Sequence, residues 1–265
     1  MVSKRKPFHA KLLIALSWAT VAAASAHAAD VHVLATGALS AAFRTLGPGY
    51  ERETGNHLIV SWGPSYGTSA DALPMRIRNG EAMDVCFMIG AALDEQIRQG
   101  KFIAQSRVDV AQSRIGVAVM AGAPKPDVST VEQLRNALLA AKSVAFSEGA
   151  SGTYITGTLF PKLGIADQMK AKSIQIKGKE LVGNAVRRGD AELGLQQISE
   201  LRAIDGIQYV GPLPLEVQKT SVISAAVARD AKERAAAEAL IAYLKTPAVS
   251  ATLEKTGLDP VAKSK

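Results

Sequence analysis

Val31-His32-Val33-Leu34-Ala35-Thr36-Gly37-Ala38-Leu39-Ser40 carries a β-branched apolar run into a turn of small and hydroxyl residues, and Phe43, Leu46 and Tyr50 follow at helical spacing. The pattern predicts a strand, a tight turn and a helix over residues 40–53, which Gly47-Pro48-Gly49 could interrupt. The unit recurs. Residues 58–62 read as a strand that enters Gly63-Pro64-Ser65-Tyr66-Gly67-Thr68-Ser69 and opens a helix over 70–79. Residues 85–89 read as a buried strand followed by a helix over 93–99. Strand-helix alternation of this kind predicts an α/β chain with mainly parallel sheet covered by helices on both faces.

The same alternation continues downstream. Residues 115–120 read as a buried strand, and residues 131–141 as a helix with Ser129 as its cap. Residues 144–146 form the next strand, Ser147 to Tyr154 a small-residue turn, and residues 155–163 a helix ending at Gly164. Strands at 174–176, 191–195 and 222–227 and helices at 181–188 and 231–245 complete the reading. About 237 residues beyond the N-terminal segment suffice for two small lobes.

Lys4, Arg5, Lys6 and Lys11, the apolar run 12–24 and Ala26-His27-Ala28 together read as a cleavable export signal over residues 1–28, placing the mature chain in the periplasm. The apolar run is about 13 residues, short of the roughly 20 that cross a bilayer, so membrane insertion of the mature chain is not expected. Loss of the signal takes four bases and no acid from the net charge of +7 and leaves +3, with charges interspersed. That balance gives no reason to expect a nucleic-acid partner and mildly favours anions. Cys86, the only cysteine, lies in an apolar run and reads as a core residue, so no intramolecular disulfide forms. Two of the four histidines lie in the signal, leaving His32 and His57, and the loop at Ser147 lacks a Walker lysine. The residues call for no metal, no cofactor and no catalytic triad.

Three turns share one design, a strand that runs into Gly, Ser and Thr at a helix start: Thr36 to Ser40, Gly63 to Ser69, and Ser147-Glu148-Gly149-Ala150-Ser151-Gly152-Thr153-Tyr154. The first amides of a helix have no intrahelical partner and carry the positive end of its dipole, so such turns suit an anion. In open α/β sheets they gather at the carboxyl ends of the strands. Thr36, Gly37, Ala38, Ser65, Tyr66, Gly67, Thr68, Ser69, Ser151, Gly152, Thr153 and Gln197 are the candidate ligand-binding residues.

Leu34 to Leu39, Val60-Ser61-Trp62-Gly63-Pro64-Ser65-Tyr66-Gly67-Thr68, Asn79 to Val85 and Arg188-Gly189-Asp190-Ala191-Glu192-Leu193-Gly194 resemble the periplasmic molybdate-binding family of type II solute-binding proteins. The resemblance covers nearly the whole mature chain. It implies two lobes joined by two hinge crossings, lobe I from residues 29–113 plus 222–265 and lobe II from 114–221. Where molybdate binders place a Ser in the first turn this chain has Ala38, and the second turn is longer, with Pro64, Tyr66, Asp71 and Pro74. A larger, flatter anion than a tetrahedral oxyanion is expected. The turns at Tyr66 and at Ser147 to Tyr154 look more like a branch of this architecture that includes aconitate isomerase.

Two functions follow from the resemblance. The first is capture of a small oxyanion or of a di- or tricarboxylate by a monomer that serves an inner-membrane ABC permease. The second is cofactor-independent isomerisation of trans- to cis-aconitate in the same cleft, with Glu148 as base, Tyr66 or Tyr154 as proton partner, and Arg76 as a source of positive charge.

Overall fold

The computed structural model describes residues 28–261, and the export signal read over 1–28 lies outside them but for Ala28. Strands β1 (Asp30–Thr36), β2 (His57–Gly63) and β3 (Val85–Ile89) run parallel, and they alternate with helices α1 (Ser40–Thr54), α2 (Leu73–Arg78) and α3 (Gly90–Arg98). Strand β4 (Val108–Met120) leads to α4 (Val131–Ala140) and β5 (Val144–Ser147), then to a continuous helical stretch made of α5 (Ala150–Tyr154), a π-helical turn (Ile155–Leu159) and α6 (Phe160–Lys162). The chain continues through α7 (Ala166–Lys170), β6 (Ser173–Ile176), α8 (Val182–Arg188), β7 (Leu193–Gln197), α9 (Ile198–Arg202) and β8 (Ile207–Pro212). It ends with β9 (Thr220–Val227), α10 (Arg234–Leu244), α11 (Pro247–Lys255) and β10 (Asp259–Pro260).

The strand order β2-β1-β3-β9-β4-β7-β5-β6 contains two parallel trios, β1 to β3 and β5 to β7. Strands β4, β8, β9 and β10 pair antiparallel, so both sheets are mixed rather than purely parallel. Strand β3 is buried on both faces with a period of two: Val85, Phe87 and Ile89 enter one core cluster, Cys86 and Met88 the other. Cys86 is fully buried, which pushes its thiol far above the ordinary range. The second sheet has its own clusters around Leu134, Phe146 and Leu195 and around Val182 and Val186.

Three local expectations differ from what is observed. Helix α1 runs through Gly47-Pro48-Gly49, because Pro48 sits on the exposed face, where the Arg44 carbonyl it leaves without a partner can meet water. The cap of α4 is Thr130, whose Oγ1 accepts the Gln133 N–H at 3.1 Å, while Ser129 donates its own N–H to Asp127. The helix predicted from Ile155 begins at Ala150, so the Ser-rich turn is its first turn.

Strand β4 belongs to both sheets. Val108 to Arg114 pair with β9, and Ile115 to Met120 pair with β7 and β8. The return segment after β8 passes beside this crossing, and Gln218 ties the two. Its Oε1 accepts the Ile115 N–H at 2.9 Å, and its Nε2 donates to the carbonyls of Ile115 at 2.9 Å and Leu213 at 3.2 Å. The two-lobed fold thus turns on a pair of adjacent chain crossings.

Across the mouth of the cleft the halves are held by carboxylates on backbone amides. Glu148 accepts the Gly178 N–H at 2.7 Å and, from the first sheet's side, the Thr68 N–H at 3.3 Å. Asp71 answers in the other direction by accepting the Lys179 N–H at 3.4 Å. Gly67 makes the approach possible: its φ is 112°, and a Cβ there would lie 2.7 Å from the Glu148 carboxyl. Burial pushes the Glu148 carboxyl up, but the Ser69 hydroxyl and the amides of Gly178, Thr68 and Ser69 outweigh it and hold the group below the ordinary carboxylate range. A carboxyl with a lowered pKa contributes stability above its ordinary value and loses it as pH falls through the lowered one. Small-angle scattering should therefore show the protein expanding as pH drops below about 4. Glu148→Gln should expand it already at pH 7 and remove that pH dependence, at a cost of about 1.5 kcal/mol, the lower end for charge-assisted bonds.

Candidate functional site

Five helix starts meet at one cavity. Thr36 and Gly37 lead into α1, Ile89 into α3, Gly149 and Ala150 into α5, Leu181 into α8 and Gln197 into α9, and all of them line the same space. Trp62, Gly63, Pro64 and Ser65 close it from the first sheet, Ser147, Ser151 and Gln196 from the second. The cavity measures about 30 Å³, room for a water or two, whereas small-molecule sites span roughly 300–1,000 Å³. A ligand therefore enters only when the lobes part.

Of the ligand-binding candidates, Thr36, Gly37, Ser65, Ser151 and Gln197 come together in this lining. Ser65 Oγ accepts the Ile89 N–H at 3.0 Å, and the Ser147 and Ser151 hydroxyls lie 3.1 Å apart. Gln197 is buried; its Oε1 accepts the Ser113 hydroxyl at 2.7 Å, and its Nε2 has no partner within the protein. A buried donor in that state costs about 1–3 kcal/mol, and a ligand acceptor would restore it.

The other candidates fall outside the lining. Ala38 is packed into the core of the first sheet, Gly152 is pressed against the Ser147 carbonyl, and the Thr153 hydroxyl donates to the Gly149 carbonyl of its own helix. Gly67, Thr68, Ser69 and Glu148 form the clasp at the mouth. Tyr66 lies at the edge of the core, where burial and the charge of Asp94 push its phenol up. The Tyr154 hydroxyl donates to the Val217 carbonyl at 2.8 Å. Arg76 is consumed by ion pairs with Asp71 at 3.0 Å and Glu81 at 2.7 Å. Among the described residues no group of three or more His, Cys, Asp or Glu side chains could hold a metal ion.

Glu200 is the functional group that sequence reasoning missed. It lines the cavity from α9 with 8% of its surface exposed, and its Oε1 lies 2.6 Å from where a Cβ on Gly37 would stand. Any larger residue at position 37 would evict it. Burial pushes this carboxyl up to about 8, against the opposing pull of the Gln197 backbone N–H and the Gln196 side chain. The bond back to Gln197, three residues earlier at the helix start, is the second half of a capping box, and that spacing is the only trace in the sequence.

A carboxyl raised from 4.5 to about 8 keeps its proton in the folded state over pH values where the unfolded chain has lost it. Stability must fall as pH climbs through that window, by about 1.4 kcal/mol per unit at most. In thermal melts Glu200→Gln should match the parent near pH 5 and melt higher at pH 8; a difference that does not grow with pH would contradict the buried, protonated state.

Residues 31–259 match the family described as bacterial extracellular solute-binding protein. Aconitate isomerase of a Pseudomonas species is 40% identical over 229 residues, 86% of this chain and 87% of that protein. The molybdate-binding protein ModA of Azotobacter vinelandii is 25% identical over 254 residues, 93% of this chain and 96% of that protein. Among solved structures, the periplasmic molybdate-binding protein of A. vinelandii overlaps with a TM-score of 0.70 at 19% identity, over 86% of this chain and 98% of that one. The sulfate-binding protein SubI of Mycobacterium tuberculosis overlaps at 0.68 and 17%, over 89% and 88%. No helix among the described residues is long and apolar enough to cross a membrane. With helix-start amides converging from two lobes on a cleft between paired crossings, and with nearly the whole described chain matched, this protein belongs to the bacterial extracellular solute-binding protein family, in the molybdate-binding-like group that also holds aconitate isomerase.

Proposed function

We propose that the protein is an isomerase that shifts the double bond of an aconitate-type tricarboxylate by proton transfer inside the closed cleft. One observation carries this reading: the cavity that gathers the helix starts also contains the buried carboxyl of Glu200. A receptor built only to capture an anion can use this carboxyl solely as a protonated hydrogen-bond donor, because the ionised form repels the ligand. A catalyst of proton transfer gains a group whose pKa lies near working pH. The 40% identity to aconitate isomerase supports the same reading.

In this reading the amides at Gly37, Ala150 and Leu181, the hydroxyls of Thr36, Ser65 and Ser151, and the Gln197 amide hold the carboxylates. Trp62 supplies a flat wall for the planar, conjugated acid. Glu148, read from the sequence as the base, serves the closed state instead, through its bonds to Thr68 and Gly178. The reading includes a periplasmic monomer, exported by the signal at residues 1–28, with lobes of residues 29–113 plus 222–265 and 114–221. The passage of β4 between sheets at Arg114 and Ile115 supports those boundaries. Capture for an ABC permease is the second reading, supported by the 25% identity to ModA.

Proton NMR of the purified protein with trans-aconitate decides between them. Appearance of cis-aconitate, slowed at least 100-fold in Glu200→Gln, is expected, since general acid-base groups contribute about 10² to 10⁴ in rate. Tight thermal stabilisation by molybdate or a carboxylate with no conversion would leave the capture reading instead.

A further inference from the structure

Among the described residues, Gln197 is the one member of the cavity lining with a buried side-chain atom left without a partner. The residue is 4% exposed, its Oε1 accepts the Ser113 hydroxyl at 2.7 Å, and Nε2 is the atom left over. Gln196 is also buried and lines the same space, yet its Oε1 accepts the Val182 N–H at 2.8 Å and its other end goes to Glu200. The two amides are held by different kinds of donor. A backbone N–H can only give, so Gln196 has one orientation. A hydroxyl can give or take, so Ser113 can serve either end of the Gln197 amide, and the group that occupies the cavity makes the choice.

An anion in the cleft can bond only the N–H₂ end. Turned that way, the amide sends its oxygen back into the protein, where the Ser113 hydroxyl is the donor that meets it. Ser113 is fully buried. Without its hydroxyl the amide oxygen would lie buried with no donor, a loss that works against the very orientation an anion needs. Ser113 lies in the part of β4 that pairs with β9, opposite Ser221, whereas Gln197 ends β7 of the second sheet and pairs with Ile115. The bond therefore bridges the two sheets where β4 changes partners, and the donor offered to the ligand is aligned by the sheet that does not carry it.

Resting on the proposed reading of a carboxylate held in the cleft, we infer that Ser113 is the positioning residue of this site: its hydroxyl keeps the Gln197 N–H₂ turned toward the ligand and so sets how tightly a carboxylate binds. Ser113 is absent from the cavity lining, so it acts through Gln197 and not by touching the ligand.

Trp62 lines the cavity and is the only tryptophan in residues 29–265, the other being Trp18, so its fluorescence reports what enters the cleft. Titration of the purified protein without residues 1–28 with trans-aconitate gives the affinity whether or not the acid is converted. Ser113→Ala should weaken binding about tenfold or more, as loss of one hydrogen bond to a charged group does. In a Gln197→Met background, which keeps the bulk and removes the amide, Ser113→Ala should change the affinity less than about twofold. A merely structural Ser113 would weaken binding equally in both backgrounds, and a hydroxyl that the ligand does not feel would leave the single variant at the parent affinity; either result overturns the positioning role. No response of the parent protein to trans-aconitate would overturn the carboxylate reading itself, and this inference with it.

Discussion

A strand that begins in one sheet and ends in another imposes a seam on everything built around it. The 13 residues of β4 do this, pairing with β9 up to Arg114 and with β7 and β8 from Ile115 onward. At the seam the backbone ladder has to change partners, and unmet amides there would be costly. The Gln218 side chain fills the gap by pairing both backbone groups of Ile115. The crossing is thereby kept intact. Because both parallel trios point their carboxyl ends toward this seam, the helix starts that follow them face one another across it.

The site is consequently electrostatic without being ionic. Helix-start amides and hydroxyls offer an anion partial positive charge at fixed positions, and they do so without the hydration shell that a lysine would have to shed. Apart from Lys179 at the rim, the basic side chains near the cleft are spent on structure: Arg76 on Asp71 and Glu81, Arg114 on Asp259, Arg188 on Glu180 and Asp190. A field made of dipoles falls away over a short distance. It can cradle a carboxylate at one end of a ligand and leave a neutral carboxyl such as Glu200 undisturbed at another, which a mobile cation would titrate.

What the sequence disclosed and what it hid follow from where each signal resides. Strand β3 was readable to the residue, since burial on both faces makes Val85 to Ile89 an unbroken apolar run. The first half of β4 was not, because Asp109, Gln112 and Arg114 interrupt it where it nears the seam. Helix α9 is five residues long and offers no periodicity to detect. The gathering of Gly37, Ser65, Ser151 and Gln197 was legible as a repeated turn design. Glu148 drew attention by standing among Ser and Gly, yet amides from distant turns claim it. Glu200 drew none, because its character comes from Gly37 and Gln196, whose nearness is a property of the closed fold and not of the local sequence.

Closure and chemistry are linked through that nearness. When the lobes are apart, Gly37 no longer covers Glu200, water reaches the carboxyl, and its affinity for a proton falls toward that of any exposed acid. With the lobes closed the same group is dried by the turn of the opposite lobe and is a far stronger base, which is what the proposed isomerisation requires of it. The clasp of Glu148 and Asp71 at the mouth acts on this step through its hold on the closed form, since each bond it adds favours the state in which Glu200 is dry. Glycine at position 37 leaves the room this carboxyl occupies: a Cβ there would stand 2.6 Å from Glu200 Oε1 and displace it.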